Sequence, residues 1–178
     1  MPIRELTEQD AAEYWALRLR ALREDPEAFG SSYEESKDRP LQQTNERLRE
    51  GATSGDSFTL GAYDEGRLVG MVVIVRAPNE KSRHTANLYS MYVAPEARGR
   101  GYGRALVGAA IERARAMPGL EQIYLAVVTT NTSARSLYLS VGFEIYGIIP
   151  RALKLGETYL DEEEMVLWLH PARAGSAS

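Results

Sequence analysis

Apolar residues change their spacing several times along the chain, and each change marks an element. Ile3–Leu6 reads as a short strand. Thr7, with Asp10 three residues on, resembles a capping box. Ala11, Tyr14, Leu17 and Leu22 then recur at helical spacing until Asp25-Pro26 ends the helix. Glu27–Lys37 is polar and rich in small residues, the pattern of a loop. Pro40 suits the first turn of a second helix, Leu41–Glu50, which Gly51 is expected to stop.

Three strand-like runs follow: Ser57–Tyr63, Leu68–Arg76 and Thr85–Val93. Asp64-Glu65-Gly66 between the first two predicts a hairpin. Gly101–Met117 has an apolar stripe of Leu106, Val107, Ala110, Ile111 and Ala114, the signature of an amphipathic helix. Ile123–Val128 is a β-branched run that fits a strand covered on both faces. Ser133–Val141 reads as a short helix, Phe143–Ile149 as a strand and Tyr159–Leu169 as the last strand. The unit from Thr85 to Val128 is strand–helix–strand, which requires a right-handed crossover between parallel strands. The expected fold is therefore α/β: one domain over residues 1–170, with a mixed, mostly antiparallel sheet of six or seven strands. A central parallel βαβ unit and helices on both faces complete it. Residues 171–178 read as a disordered tail.

Composition narrows the chemistry. The 178 residues are 44% hydrophobic with a formal net charge of -4, so nothing global attracts nucleic acid or an anionic membrane. The balance mildly favours a cationic or amine-bearing partner. No cysteine is present, which removes a disulfide framework, a thiolate metal site and a cysteine nucleophile. The two histidines, His84 and His170, are far apart, and no metal centre is expected. The polar start and the lack of a long apolar run predict a cytoplasmic protein without signal peptide or membrane anchor.

The chemistry concentrates in Arg98-Gly99-Arg100-Gly101-Tyr102-Gly103-Arg104, between a strand and a helix. Alternate glycines let a ligand approach backbone N–H groups, and a helix N-terminus favours an anion. Arg98, Arg100 and Arg104 add positive charge, so the segment is built as a pyrophosphate cradle. It is not a dinucleotide fingerprint, because the third glycine position holds Arg104, and it is no P-loop, because no Gly-Lys pair exists.

A second motif runs from Asn131 to Phe143: N-T-S-A-R-S-L-Y-L-S-V-G-F. With Arg98, Gly101 and Gly103 in the first motif, the chain resembles the GNAT family of acetyltransferases. The resemblance implies a fold in which acetyl-CoA lies between splayed parallel strands as co-substrate, and a direct transfer of acetyl to an amine. It implies that backbone groups around Met91, Tyr92 and Val93 hold the pantetheine arm. The turn Arg98, Gly99, Arg100, Gly101, Tyr102, Gly103 and Arg104 would hold the pyrophosphate. Asn131 would bind near the thioester, and Tyr138 would face the sulfur as general acid. Read in isolation, Asn131 is better taken as a helix N-cap and Tyr138 as a core tyrosine.

The pattern breaks at the general base. Positions where several family members carry glutamate hold Asn87 and Ala126 here. Glu34, Glu35 and Asp161 are the substitutes considered, each also readable as a solvated surface residue. Glu162-Glu163-Glu164 could greet a cationic substrate or protect an edge strand, the second being the reading preferred, and a homodimer could form through the final strands. The vacant base positions leave two readings: an active N-acetyltransferase, or an acetyl-CoA-binding sensor of the same fold.

Overall fold

The computed structural model describes residues 1–170; the expected tail at 171–178 lies outside the described residues. Strand β1 (Ile3–Glu5) leads through a one-turn helix, Glu8–Asp10, into α1 (Ala11–Glu24). The capping box is present: Asp10 accepts from the Thr7 N–H at 2.8 Å. Between Pro26 and Lys37, where a loop was expected, the chain adds a helical turn at Pro26–Ala28 and the short α2 (Tyr33–Ser36). Helix α3 runs over Leu41–Ser54, so Gly51 does not stop it. Gly51 is buried inside the helix, and Gly55 at φ 69 ends it. Packing explains the difference: a Cβ at Gly51 would sit 3.2 Å from the Ser57 carbonyl oxygen, so the small residue serves helix–strand contact.

Strands β2 (Ser57–Asp64) and β3 (Arg67–Arg76) form the expected hairpin, turning on Glu65 and Gly66, both with positive φ. Then come β4 (Thr85–Val93), α4 (Tyr102–Arg115), β5 (Gln122–Val128), α5 (Thr132–Ser140), β6 (Glu144–Leu155) and β7 (Thr158–Trp168). They form one seven-stranded sheet in the order β1-β2-β3-β4-β5-β7-β6. Only β4 and β5 are parallel; every other pairing is antiparallel.

The period of two along the strands assigns the two faces. Phe58, Leu60, Ala62, Gly70 and Ile74 turn toward α4, where Leu106 packs so close that a Cβ on Gly70 would meet it at 2.7 Å. Thr59 and Val73 turn the other way and line a small recess with Leu48 of α3. The core is continuous through the sheet, with Met71, Val72, Ile123 and Met165 fully buried.

One expectation about the sheet needs correction. Glu162, Glu163 and Glu164 do not guard an edge, because β7 lies between β5 and β6 and the edge strand is β6. Glu163 is buried and accepts from the Arg135 Nε–H at 2.7 Å.

Two departures from regular pairing shape the middle of the sheet. The β4–β5 ladder covers only Thr85–Asn87 against Gln122–Tyr124, after which the strands part. In the same stretch β4 carries a bulge: Val73 faces Tyr89 and Met71 faces Tyr92, so Ser90 and Met91 share one partner position. Ser90 takes the left-handed conformation, φ 55, unusual outside glycine. Beyond Asn87, the β5 side of β4 is an open backbone edge.

Candidate active site

A cleft of about 640 Å³ opens where β4 and β5 separate. Met91, Tyr92 and Val93 line it on one side and Ala126, Val127 and Val128 on the other. Because β5 pairs with β7 alone beyond Tyr124, main-chain donors and acceptors face the cleft from the splayed strands. One of them is partly satisfied within the chain, since the Val93 carbonyl accepts from Arg98 Nε at 2.9 Å.

At one end of the cleft stands the turn that begins α4. Gly99 and Gly101 sit at φ 72 and φ 85, where an L side chain is strained, and both line the cleft. The amides of Gly99, Arg100 and Gly101 make no hydrogen bond within the protein among the described residues. The first N–H groups of the 14-residue α4 add to them, with the positive end of the helix dipole behind. These are the features of an anion site.

The arginines of the turn are distributed differently from the sequence expectation of mobile positive charge. Arg98 lines the cleft, but its guanidinium is tied to Asp25 at the end of α1. Arg100 turns away to the β2–β3 hairpin, where Asp64 accepts from it at 2.6 Å and from the Tyr102 hydroxyl at 2.8 Å. Arg104 is exposed, does not line the cleft, and has no ion pair among the described residues. Further contacts hold α1 against the turn: Arg20 pairs with Glu96 at 2.7 Å, and the Tyr92 hydroxyl donates to Glu24 at 2.7 Å. Arg98 and Arg100 thus fix the shape of the turn, and the backbone supplies its bare donors.

Asn131 and Tyr138 lie across the cleft on α5. Asn131 caps that helix, accepting from the Ala134 N–H at 3.1 Å, and lines the cleft as well. Tyr138 is 6% exposed, and its ring meets Phe143 edge-on at 5.7 Å. The Phe143 N–H returns to the Tyr138 carbonyl at 3.1 Å, so the Gly142-Phe143 pair doubles the chain back behind the tyrosine. Burial pushes the Tyr138 phenol well above its ordinary pKa. It is therefore protonated at neutral pH and can donate, and no side-chain hydrogen bond occupies its hydroxyl among the described residues.

The carboxylates considered as bases are placed elsewhere. Glu35 belongs to the capping box of α2 with Ser32, and Glu34 pairs with Lys37 at 2.5 Å. Asp161 accepts the Arg151 N–H at 2.7 Å. None of the three lines the cleft, whereas Glu162 does. Glu162 stands opposite Val128 in the β5–β7 ladder. Burial, and then the neighbouring charge of Glu164, raise its pKa above the ordinary carboxylate value. Sequence reasoning set this residue aside as edge protection because the strand order was not legible. Its only signal was parity: in a strand, Glu162 and Glu164 share one face and Glu163 takes the other.

The profile of the acetyltransferase (GNAT) family matches residues 17–143. This chain belongs to that family. Among curated relatives of this GNAT protein, the L-methionine sulfoximine/L-methionine sulfone acetyltransferase of Pseudomonas paraeruginosa is 38% identical over 97 residues, 54% of this chain and 55% of that protein. A mycothiol acetyltransferase of Beutenbergia cavernae is 32% identical over 138 residues, 77% of this chain and 42% of that protein. The chain thus spans about half the length of these relatives. A GNAT-family acetyltransferase structure from Streptococcus pneumoniae superposes with a TM-score of 0.88 at 28% identity, covering 94% of this chain and 98% of that one. A Salmonella typhimurium protein solved with acetyl-CoA shares the fold at TM-score 0.84 and 21% identity, covering 100% of this chain and 99% of that one. The GNAT fold expected from the two motifs is the fold observed.

Proposed function

We propose that this chain is an acetyl-CoA-dependent N-acetyltransferase that passes acetyl directly to a primary amine. One observation carries the reading: the open edge of β4, the turn residues Gly99 and Gly101 with their bare amides, and Tyr138 all line the same cleft. The residues fit an extended, diphosphate-bearing thioester. An unpaired strand edge suits a peptide-like arm, as in strand addition. Free amides at a helix start suit a diphosphate. The Met91–Val93 backbone and Asn131 would hold the arm, Gly99–Gly103 with Arg98 and Arg104 the diphosphate. The bound cofactor supplies an activated acetyl thioester.

The chain's own residues supply the remaining work. Tyr138 donates a hydrogen bond where thiolate charge develops. A phenol near pKa 10 and a thiol near 8.5 leave full proton transfer uphill by about 2 kcal/mol, and the burial of Tyr138 widens that gap. Its contribution is therefore charge stabilisation by a hydrogen bond, with the proton retained on the phenol oxygen. Glu162 accepts the proton from the acceptor amine, directly or through water. Its raised pKa brings it nearer neutrality, which favours a base. The acceptor's own pKa sets how much help it needs: deprotonation at pH 7 costs about 4–5 kcal/mol for a lysine-like amine and about 1 kcal/mol for a peptide α-amine.

The test is acetyl-CoA turnover with a panel of amines, read as free thiol and by mass of the products, beside calorimetric titration of the protein with acetyl-CoA. Saturable thiol release with an acetylated product is expected. Tight cofactor binding without any turnover establishes the sensor reading in its place.

A further inference from the structure

Glu164 stands opposite Ala126 in the β5–β7 ladder, one step along the same face from Glu162 opposite Val128. Two residues of strand put the carboxylates about 7 Å apart. Ala126, Val128 and Glu162 line the cleft, so this face of β7 borders the site. Neither Glu162 nor Glu164 has an ion pair among the described residues, whereas Glu163 on the other face is held by Arg135 at 2.7 Å. The surroundings of the two differ. Glu164 Oε2 accepts from the Tyr146 hydroxyl at 2.8 Å. Tyr146 is the extra residue of a bulge in β6, between Ile145 opposite Met165 and Gly147 opposite Glu164. Its ring is braced edge-on against Tyr124 of β5 at 5.7 Å. Glu162 accepts no side-chain hydrogen bond among the described residues. The other charged groups around it are already answered or turned away. Across the cleft, Glu24 and Asp25 are paired with Arg20 and Arg98, and Glu27 is exposed. On the hairpin, strand alternation turns Asp161 and Glu163 to the opposite face, where Arg151 and Lys154 lie over Tyr159.

We infer that Glu164 and Tyr146 are positioning residues for Glu162: the phenol fixes a negative charge on Glu164, and that charge reserves the proton of the acceptor amine for Glu162. This rests on the acetyltransferase reading above and names the residues that prepare its base. Two carboxylates at this separation repel, so as pH falls one takes the first proton ahead of the other. Hydrogen bonding decides which. A phenol O–H donates to an ionised oxygen and so favours the charged form of the carboxylate it touches. Only Glu164 has that donor, which leaves the first proton to Glu162. Burial, and then the Glu164 charge, raise the Glu162 pKa accordingly. Burial, and then the hydrogen bond to Glu164, lift the Tyr146 phenol to about 12, so it keeps its own proton throughout. Unequal surroundings thus let two like carboxyls on one strand face divide the work, one as fixed charge and one as base.

The experiment is a carbon-13 NMR pH titration of the glutamate side-chain carboxyls in the protein alone, with Glu162→Gln identifying the Glu162 signal. The wild-type Glu162 midpoint is expected above the ordinary glutamate value of about 4.3. Glu164→Gln keeps an acceptor for the Tyr146 hydroxyl and deletes the charge. The Glu162 midpoint is then expected to fall by about 0.5–1.5 pH units, the Coulomb range for charges about 7 Å apart. Tyr146→Phe is expected to broaden the Glu162 curve, because the first proton is then shared with Glu164. A wild-type midpoint at or below about 4.3 overturns the inference and needs no variant to fold. A midpoint unmoved in Glu164→Gln, or a curve unchanged in Tyr146→Phe, overturns it too, and is what a purely structural role predicts. Failure of the acetyltransferase reading shows separately: the midpoint moves as expected while no amine of the turnover panel is acetylated.

Discussion

Val128 of β5 and Glu162 of β7 stand opposite each other in antiparallel register, and both line the cleft that opens beside β4. The pairing supplies a carboxylate to a site whose expected base positions hold Asn87 and Ala126. Ala126 lines the same cleft two residues before Val128, and the acidic group comes from the neighbouring strand. In the ladder Ala126 itself faces Glu164, and Glu162 is its diagonal neighbour, two residues along β7 on the same face.

Glu162→Gln is expected to lower kcat/KM by about 10²–10³, the usual contribution of a positioned base. The sign of the pH effect follows from the raised pKa. Glu162 works when ionised, so wild-type activity rises with pH through a value above the ordinary carboxylate range, and that acid limb disappears in the variant. A carboxyl with a raised folded pKa stabilises the fold below its unfolded pKa and loses that contribution as pH rises. Thermal melting of the variant at pH 8 is therefore expected to match or exceed wild type. A pH–rate profile unchanged by the substitution removes Glu162 from the mechanism.

Tyr138→Phe keeps the edge-on contact with Phe143 and deletes only the hydroxyl. A fall of about 10²–10³ in kcat is expected, with unchanged acetyl-CoA affinity. Stopped-flow measurement of thiol release checks it, and undiminished turnover refutes the role.

Gly101→Ala places a Cβ at φ 85, which costs about 1–2 kcal/mol, or a few degrees in Tm. It also crowds the amides that face the cleft, so acetyl-CoA affinity is expected to fall. Gly108→Ala in the same helix is the control: its added Cβ meets nothing within 4 Å, and it is expected to hold or raise Tm with acetyl-CoA affinity intact. Melting curves and calorimetry on both variants separate backbone strain from ligand contact.

Asn131 has two roles that substitution can separate. Asn131→Ala removes the cap on the Ala134 N–H and is expected to cost about 1 kcal/mol. Asn131→Ser restores the cap and the melting temperature. The KM for acetyl-CoA is expected to stay raised in Asn131→Ser, because the shorter side chain no longer reaches the cleft. Full recovery of KM with the cap reduces Asn131 to a structural residue.

The elements were legible because local spacing dictates them. The stripe of Leu106, Val107 and Ala110 can only be a helix face, and Asp64-Glu65-Gly66 can only turn a hairpin. The two motifs around Gly101 and Tyr138 were legible for the same reason, since each is a short contiguous run whose spacing is written in the chain. The parallel pairing of β4 with β5 also followed locally, from the single helix between them.

Long-range choices were decided only in three dimensions. The insertion of β7 between β5 and β6 moved Glu162 from a supposed edge to the cleft, and no local pattern encodes strand order. The Asp25 and Asp64 carboxylates that hold Arg98 and Arg100 come from positions 73 and 36 residues away, so the sequence showed three basic residues and not which were already neutralised. The hydrogen bond from Tyr146 to Glu164 is likewise a property of what meets after folding. Periodicity and turn chemistry act over a few bonds and are set by the sequence alone. Burial, ion pairing and the position of a strand in its sheet depend on which distant segments meet, and those the tertiary structure alone determines.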